Sequence, residues 1–262
     1  MNCIAFARHA SRRFIGSNRP RLPVKVACWT ARGRHLLVLG AVALGVGSPL
    51  HLAAAEPSSP TAPTTAATPA AEQPDGEPVL FDGKSLEGWR IIDKWDFSDH
   101  GAVEVRDGAI VLGKGDPATG ISWKGDLPRN NYELTWQAQR RSGSDFFCGL
   151  TFPVRDSHCT LILGGWGGQI VGLSNIDGFS AVENSTTRTV AFEEKRWYQL
   201  RLRVTDAKIQ VWLDEKPLVD VDAKGKKFSI WWEQEPVTPL GIVTWNTEGA
   251  IKDLQWKTLQ DK

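Results

Sequence analysis

Four side chains in the middle of this 262-residue chain have types suited to proton chemistry: Asp145, His158, Asp177 and Glu183. Asp145 ends the loop Arg140-Arg141-Ser142-Gly143-Ser144 and precedes the apolar run Phe146–Phe152. Paired with Glu183 it could form an acid and a base, as glycoside cleavage requires of two carboxyls about 5–10 Å apart. A single base removing an acidified proton is the other chemistry, with Arg141 or a cation stabilising the enolate. His158 and His100 are the only histidines after residue 55, which excludes a multi-histidine zinc centre. His158 suits a general base or a lone ligand. The plain alternatives are a solvated turn for Asp145 and Arg141, and a hairpin end for His158.

The segment 163–186, LGGWGGQIVGLSNIDGFSAVENST, has the most unusual composition in the chain. Gly164-Gly165-Trp166-Gly167-Gly168 frees the backbone around one large ring. Trp166 could stack on a pyranose face, or cap a core between two turns. Asn175, Asp177, Glu183 and Asn184 follow within ten residues. They could aim oxygens at sugar hydroxyls or at a hard cation such as Ca²⁺. Their spacing is not that of a helix-loop calcium site, and Asn and Asp also make turns by bonding their own backbone. No phosphate loop is present, because no Lys-Ser or Lys-Thr follows the glycines.

Eleven tryptophans stand after residue 55, against two tyrosines. Trp136 lies on an alternating apolar face, whereas Trp212 points away from Ile209, Val211 and Leu213. Neighbours on a strand face opposite ways, so one of Trp231 and Trp232 leaves the core. An exposed aromatic face suits carbohydrate stacking, and Trp245 with Asn246 is a further candidate contact. No Gly-x-Ser-x-Gly elbow, His-Glu-x-x-His helix or Cys-x-x-Cys pair occurs.

The elements that must position these groups read as almost all β. Val103–Val105 and Ala109–Leu112 flank an Asp107-Gly108 turn, the signature of a two-residue hairpin. Tyr132, Leu134, Trp136 and Ala138 alternate with polar residues. Phe146–Phe152 pairs with His158–Leu163, and Tyr198–Val204 with Lys208–Leu213, which turns into Leu218–Val221. Phe228–Trp232, Gly241–Thr244 and Ile251–Leu259 are read as the last strands, with Ala250–Leu259 returning beside the first. Many short strands without a helical period predict an all-β, two-sheet antiparallel jelly-roll sandwich over residues 77–262.

Residues 1–55 carry eight Lys/Arg and no Asp or Glu, then the apolar run Leu36–Leu50 and Leu52-Ala53-Ala54-Ala55. This predicts a secretory signal peptide, hence an exported, periplasmic or extracellular protein. Only an uncleaved signal would bring the chain to a membrane. Residues 56–76, rich in Pro, Ala, Thr and Ser, predict a disordered linker. Without residues 1–55 the chain holds 23 Lys/Arg against 30 Asp/Glu, a net charge of about −7, which excludes a nucleic-acid footprint. Cys148 and Cys159 remain. A turn at Arg155-Asp156 sets them four residues out of register, and a turn at Pro153-Val154 sets them opposite.

The stretch LFDGKSLEGW, Leu80–Trp89, resembles the opening of the 3-keto-disaccharide hydrolase domain family. Val105–Leu112, WYQLRLRVTDAKIQVWLDEKPLVDV at 197–221, and Gly241-Ile242 with Ile251–Leu254 are similar to later segments of that family. The resemblance implies a concanavalin A-like jelly roll in an exported protein that cleaves glycosidic bonds of 3-oxidised sugars. Its ligand would be a keto-sugar or oligosaccharide. A sugar-binding module or a surface interaction domain is the alternative. Family members often carry Glu-x-Gln-x-x-Asp after the central turn. Aligned by the hairpin, those positions here are Cys159, Leu161 and Gly164.

Overall fold

A computed structural model describes residues 79–260, so the readings of residues 1–55 and 56–76 lie outside the described residues. Fourteen strands form two seven-stranded antiparallel sheets. The back sheet contains β2 (Val103–Arg106), β3 (Ala109–Leu112), β5 (Tyr132–Gly143), β10 (Trp197–Val204), β11 (Lys208–Leu213), β12 (Lys216–Asp222) and β14 (Thr247–Thr258). Its order is β12-β11-β10-β5-β14-β3-β2. The front sheet contains β1 (Trp89–Ile91), β4 (Ala118–Trp123), β6 (Cys148–Val154), β7 (Ser157–Gly164), β8 (Ile170–Ser174), β9 (Arg188–Thr189) and β13 (Gly241–Trp245). Its order is β1-β4-β13-β6-β7-β8-β9.

Local chemistry explains the hairpins. Asp107 and Gly108 both adopt left-handed φ, 53° and 72°, which matches the right-handed twist of β2 and β3. Between the sheets, Leu134, Trp136, Leu200 and Leu202 from the back meet Leu150, Phe152, Leu161 and Ile242 from the front. Tyr132 stacks on Trp256 with ring centres 4.0 Å apart, and its hydroxyl donates to the Pro153 carbonyl. Outside the back sheet, the Arg201 guanidinium lies 3.8 Å from the Trp212 ring centre, so Trp212 faces outward as its alternation requires.

The β6–β7 turn is the two-residue kind, with Val154 opposite Ser157. Cys148 therefore faces Leu163, and Cys159 faces Phe152. Both thiols are free and buried, and burial pushes each up to about 12. Reducing agent is accordingly expected to leave the melting temperature unchanged. A fall on adding dithiothreitol would instead reveal a bridge.

Two expectations are corrected. Residues 228–232 are not a strand. Phe228 makes one isolated bridge to Ile176, and Trp232–Val237 is a 3₁₀ turn containing Pro236. Proline removes a ladder donor, and this segment runs across the strands rather than along them. The closing strand β14 lies between β5 and β3, in the opposite sheet from β1. Strands β4 and β8 were absent from the sequence reading. Their outward residues Ala118, Gly120, Ser122, Gly172 and Ser174 are too small to show a strand-like alternation.

Candidate functional site on the front sheet

The front sheet is buried on both faces, and its outward face differs chemically from the core. Inward go Ile121, Leu150, Phe152, Cys159, Leu161 and Leu173. Outward, one rung joins Gly120, Val243, Gly149, Ile162 and Gly172 across five strands. The next joins Ser122, Gly241, Thr151, Thr160 and Ser174. This second rung is a row of hydroxyls, all buried. Ser122 donates to the Thr238 carbonyl at 2.8 Å, and Ser174 to Asn175 Oδ1 at 2.8 Å. The Thr151 and Thr160 hydroxyls lie 2.8 Å apart. Beyond them, His158 faces outward opposite Pro153.

Residues 228–240 form a strap over the hydroxyl rung. At the β8 side Asn175 N donates to Ser229 O at 2.6 Å, and Ser157 Oγ to Phe228 O at 2.8 Å. At the β4 side Thr238 accepts from Ser122, and Arg90 donates to Pro236 O at 3.2 Å. Val237 sits on Gly241, where an added Cβ would come within 2.4 Å of it. Five neighbouring strands span about 19 Å. Three extended residues and six in a 3₁₀ turn span roughly 22 Å, so the strap crosses the whole row. Its 3₁₀ part, Trp232–Val237, packs against β4 and β13.

His158 Nε2 and Gln234 Oε1 are buried with no hydrogen-bond partner among the described residues. Leaving such an atom unpaired costs about 1–3 kcal/mol, so each calls for an explanation. Burial, then the nearby Arg129 cation, lowers the His158 pKa. Its imidazole is thus neutral at pH 7.

The far end of β7 is a glycine turn. Gly164, Trp166, Gly167 and Gly168 take left-handed φ of 79°, 48°, 88° and 101°. Arg140 locks it, donating to the carbonyls of Gly168 at 2.7 Å, Asp145 at 3.3 Å and Gly164 at 3.4 Å. The guanidinium lies over the Phe147 and Phe192 rings, 5.1 and 5.9 Å from their centres. A Cβ at Gly164 would meet it at 2.4 Å, which explains that glycine. The Asp145 carboxylate accepts from the amides of Phe146 (2.8 Å), Gly167 and Trp166. Burial still raises its pKa, outweighing those amides. Phe146 rests near Gly149, its ring 6.0 Å from that of Trp245, and Trp166 is held partly in solvent.

The predicted site residues are thus spread out. Asp145 and His158 stand at opposite ends of β7, about 20 Å apart at strand rise. Asp177 is exposed and ion-paired with Lys226 at 2.9 Å, and the Lys227 amide, then Lys226, lower its pKa. Exposed Glu183 accepts from Ser180 Oγ at 2.6 Å. Asn184 ties its loop by donating to the carbonyls of Leu173, Phe179 and Ser180. Asn175 is buried at the strap's β8 end, and Asn246 is a left-handed turn residue between β13 and β14. Arg141 pairs with Glu248 at 3.3 Å. No group of three or more His, Cys, Asp or Glu gathers as a metal site among the described residues. Cys159 and Leu161 point into the core, so the outward positions of this strand are His158, Thr160 and Ile162.

Sequence reasoning missed Arg140, Gln234 and the threonine pair. Arg140 did leave a signal. It continues the inward series Tyr132, Leu134, Trp136, Ala138, where an arginine must find buried acceptors.

Residues 76–257 match the family of the 3-keto-alpha-glucoside-1,2-lyase-like domain, over most of the chain. The chain belongs to this family. No curated protein matches this chain. Among solved structures, it is similar to the VIP36 exoplasmic/lumenal domain in a Ca²⁺/Man3GlcNAc-bound form, at 11% identity and a TM-score of 0.46, covering 68% of this chain and 86% of that one. The carbohydrate-binding module CBM66 from Bacillus subtilis gives 9% and 0.41, with 65% and 96% covered. A beta-1,3-glucanase from Mycobacterium marinum gives 11% and 0.42, with 67% and 94% covered.

Proposed function

We propose that this is an exported enzyme that cleaves the glycosidic bond of 3-keto-glucosides by elimination, on the outward face of the front sheet beneath the strap. The observation that carries this reading is His158 Nε2, buried, neutral and unpartnered beside a row of hydroxyls. A ketone at C3 acidifies the C2 proton, so one base suffices. The His158 Nε2 lone pair takes that proton, and the C–H electrons pass to the C3 oxygen as an enolate. The enolate re-forms the ketone, C1=C2 forms, and the C1–O electrons leave with the aglycone oxygen. That oxygen recovers the proton from the imidazolium.

Thr151 and Thr160 suit the enolate. One hydroxyl hydrogen serves their mutual bond, which leaves the other to donate to the developing oxyanion. Gln234 Oε1 accepts from a sugar hydroxyl. Trp166 is the aromatic wall at the other end of the face. The rung is fully covered, so substrate enters by lifting the middle of the strap while its tied ends stay in place. Two-carboxylate hydrolysis finds less support, because Asp145 is held by the backbone amides of the glycine turn while its partner Glu183 is exposed and accepts from Ser180.

Incubation with 3-keto-trehalose, with and without EDTA, tests the reading. Release of glucose with an unsaturated keto sugar is expected. Binding without release identifies a sugar-binding module instead, the reading that the exposed Trp166 favours. A base must be deprotonated, and burial sets His158 below the ordinary histidine value of 6.5. The acid limb of kcat/KM is therefore expected below pH 6.5. A limb well above it would point to another base.

A further inference from the structure

Trp95 and Trp232 are 137 positions apart, yet their rings meet edge to face, with centres 5.6 Å apart and planes at 61°. Both stay about half in solvent, at 47% and 48% exposure. Their turns are pinned at one point of the front sheet. Phe97, two residues after Trp95, and Val237, five after Trp232, both press on Gly120, where a Cβ would meet them at 2.5 and 3.3 Å. Trp95 also holds a left-handed φ of 59°, a costly conformation for a bulky residue. Two separate segments thus hold two large rings out of the core, beside the strap.

We infer that Trp95 and Trp232 form a stacking subsite for the neutral leaving-group sugar. One ring offers its face to the C–H face of a pyranose and the other walls its edge. Lys94 holds its Nζ 5.0 Å from the Trp95 ring centre, and Asp93, Asp96, Glu233 and Glu235 flank the two rings in the chain, an acidic surround that disfavours an anion and leaves a neutral sugar ring. A protein partner fits poorly. Two half-exposed indoles offer on the order of 200 Å², against about 800 Å² per side in a stable interface. This inference rests on the proposed elimination for the identity of the sugar, and Trp232 lies on the strap whose Thr238 carbonyl accepts from Ser122 of the hydroxyl rung.

The test compares the wild type with Trp95→Ala, Trp232→Ala and the double variant. The readout is the ratio of kcat/KM for 3-keto-trehalose to that for methyl 3-keto-α-glucoside, whose leaving group is too small to reach the corner. Each single variant is expected to lower this ratio about tenfold, the factor given by ~1.4 kcal/mol. An unchanged ratio overturns the subsite, whether both rates fall together or neither falls. Saturation-transfer NMR with unoxidised trehalose reads the subsite without chemistry. Signal in the wild type that is lost in the double variant supports it even if no keto sugar is turned over. Equal signal in both, or none in the wild type, overturns it.

Discussion

Replacing His158 by glutamine is expected to lower kcat/KM for 3-keto-trehalose by about 10²–10⁴-fold, the contribution of one positioned proton-transfer group. Glutamine fills similar space and keeps hydrogen-bonding capacity, but it cannot cycle a proton. The fold should survive, because His158 Nε2 makes no bond to any described residue. Melting temperature is expected to hold or rise, since the substitution removes a titratable group whose pKa burial depresses. The sign follows from linkage. Such a histidine contributes stability above its unfolded pKa and loses it as pH falls through the lower folded value, so the gain grows below about pH 6.5. Initial rates alongside a thermal melt separate the two effects. Activity within a few-fold of wild type would remove His158 from the mechanism.

The largest effect on stability is expected at Arg140. Its guanidinium is buried, donates to three carbonyls and lies over the Phe147 and Phe192 rings. Arg140→Met strips those carbonyls of their donor while the neighbouring Asp145 carboxylate stays half-buried. Breaking such a buried charged cluster costs about 3–5 kcal/mol. At about 2–4 °C per kcal/mol for a domain this size, that is a fall in Tm of roughly 10 °C. Arg140→Lys should rescue only part of this, because an ammonium loses the planar guanidinium's contact with the Phe147 and Phe192 rings. The loss should spread to Trp166, whose turn Arg140 fastens at both ends. Urea melts with intrinsic fluorescence would measure both. A change below about 1 kcal/mol would show that the glycine turn holds itself.

The fold was legible wherever one face of a strand is core and the other is water. The hairpins at 103–112 and 197–221 and the alternation of β5 all belong to the back sheet, whose outer face stays polar. The front sheet was harder, because it is covered on both sides. There many of the outward residues are glycine, serine and threonine, which let the strap and the loops approach. The period-2 pattern fades, and β4 and β8 vanish from view. The candidate site suffered for the same reason. Carboxylates in a glycine-rich loop look chemical in one dimension, yet Asp177 and Glu183 are tied to Lys226 and Ser180 at the surface. His158 was visible as a rare imidazole. The burial of its Nε2 is a tertiary property, and no local pattern reports that.

Elimination and hydrolysis differ in whether the C2–H bond breaks. The most direct measurement is the rate on 3-keto-trehalose carrying hydrogen or deuterium at C2, with the first product identified by mass. Removal of the C2 proton by His158 predicts clearly slower turnover of the deuterated substrate and an unsaturated keto sugar as the first product. Equal rates, with hydrated 3-keto-glucose as the first product, would contradict it.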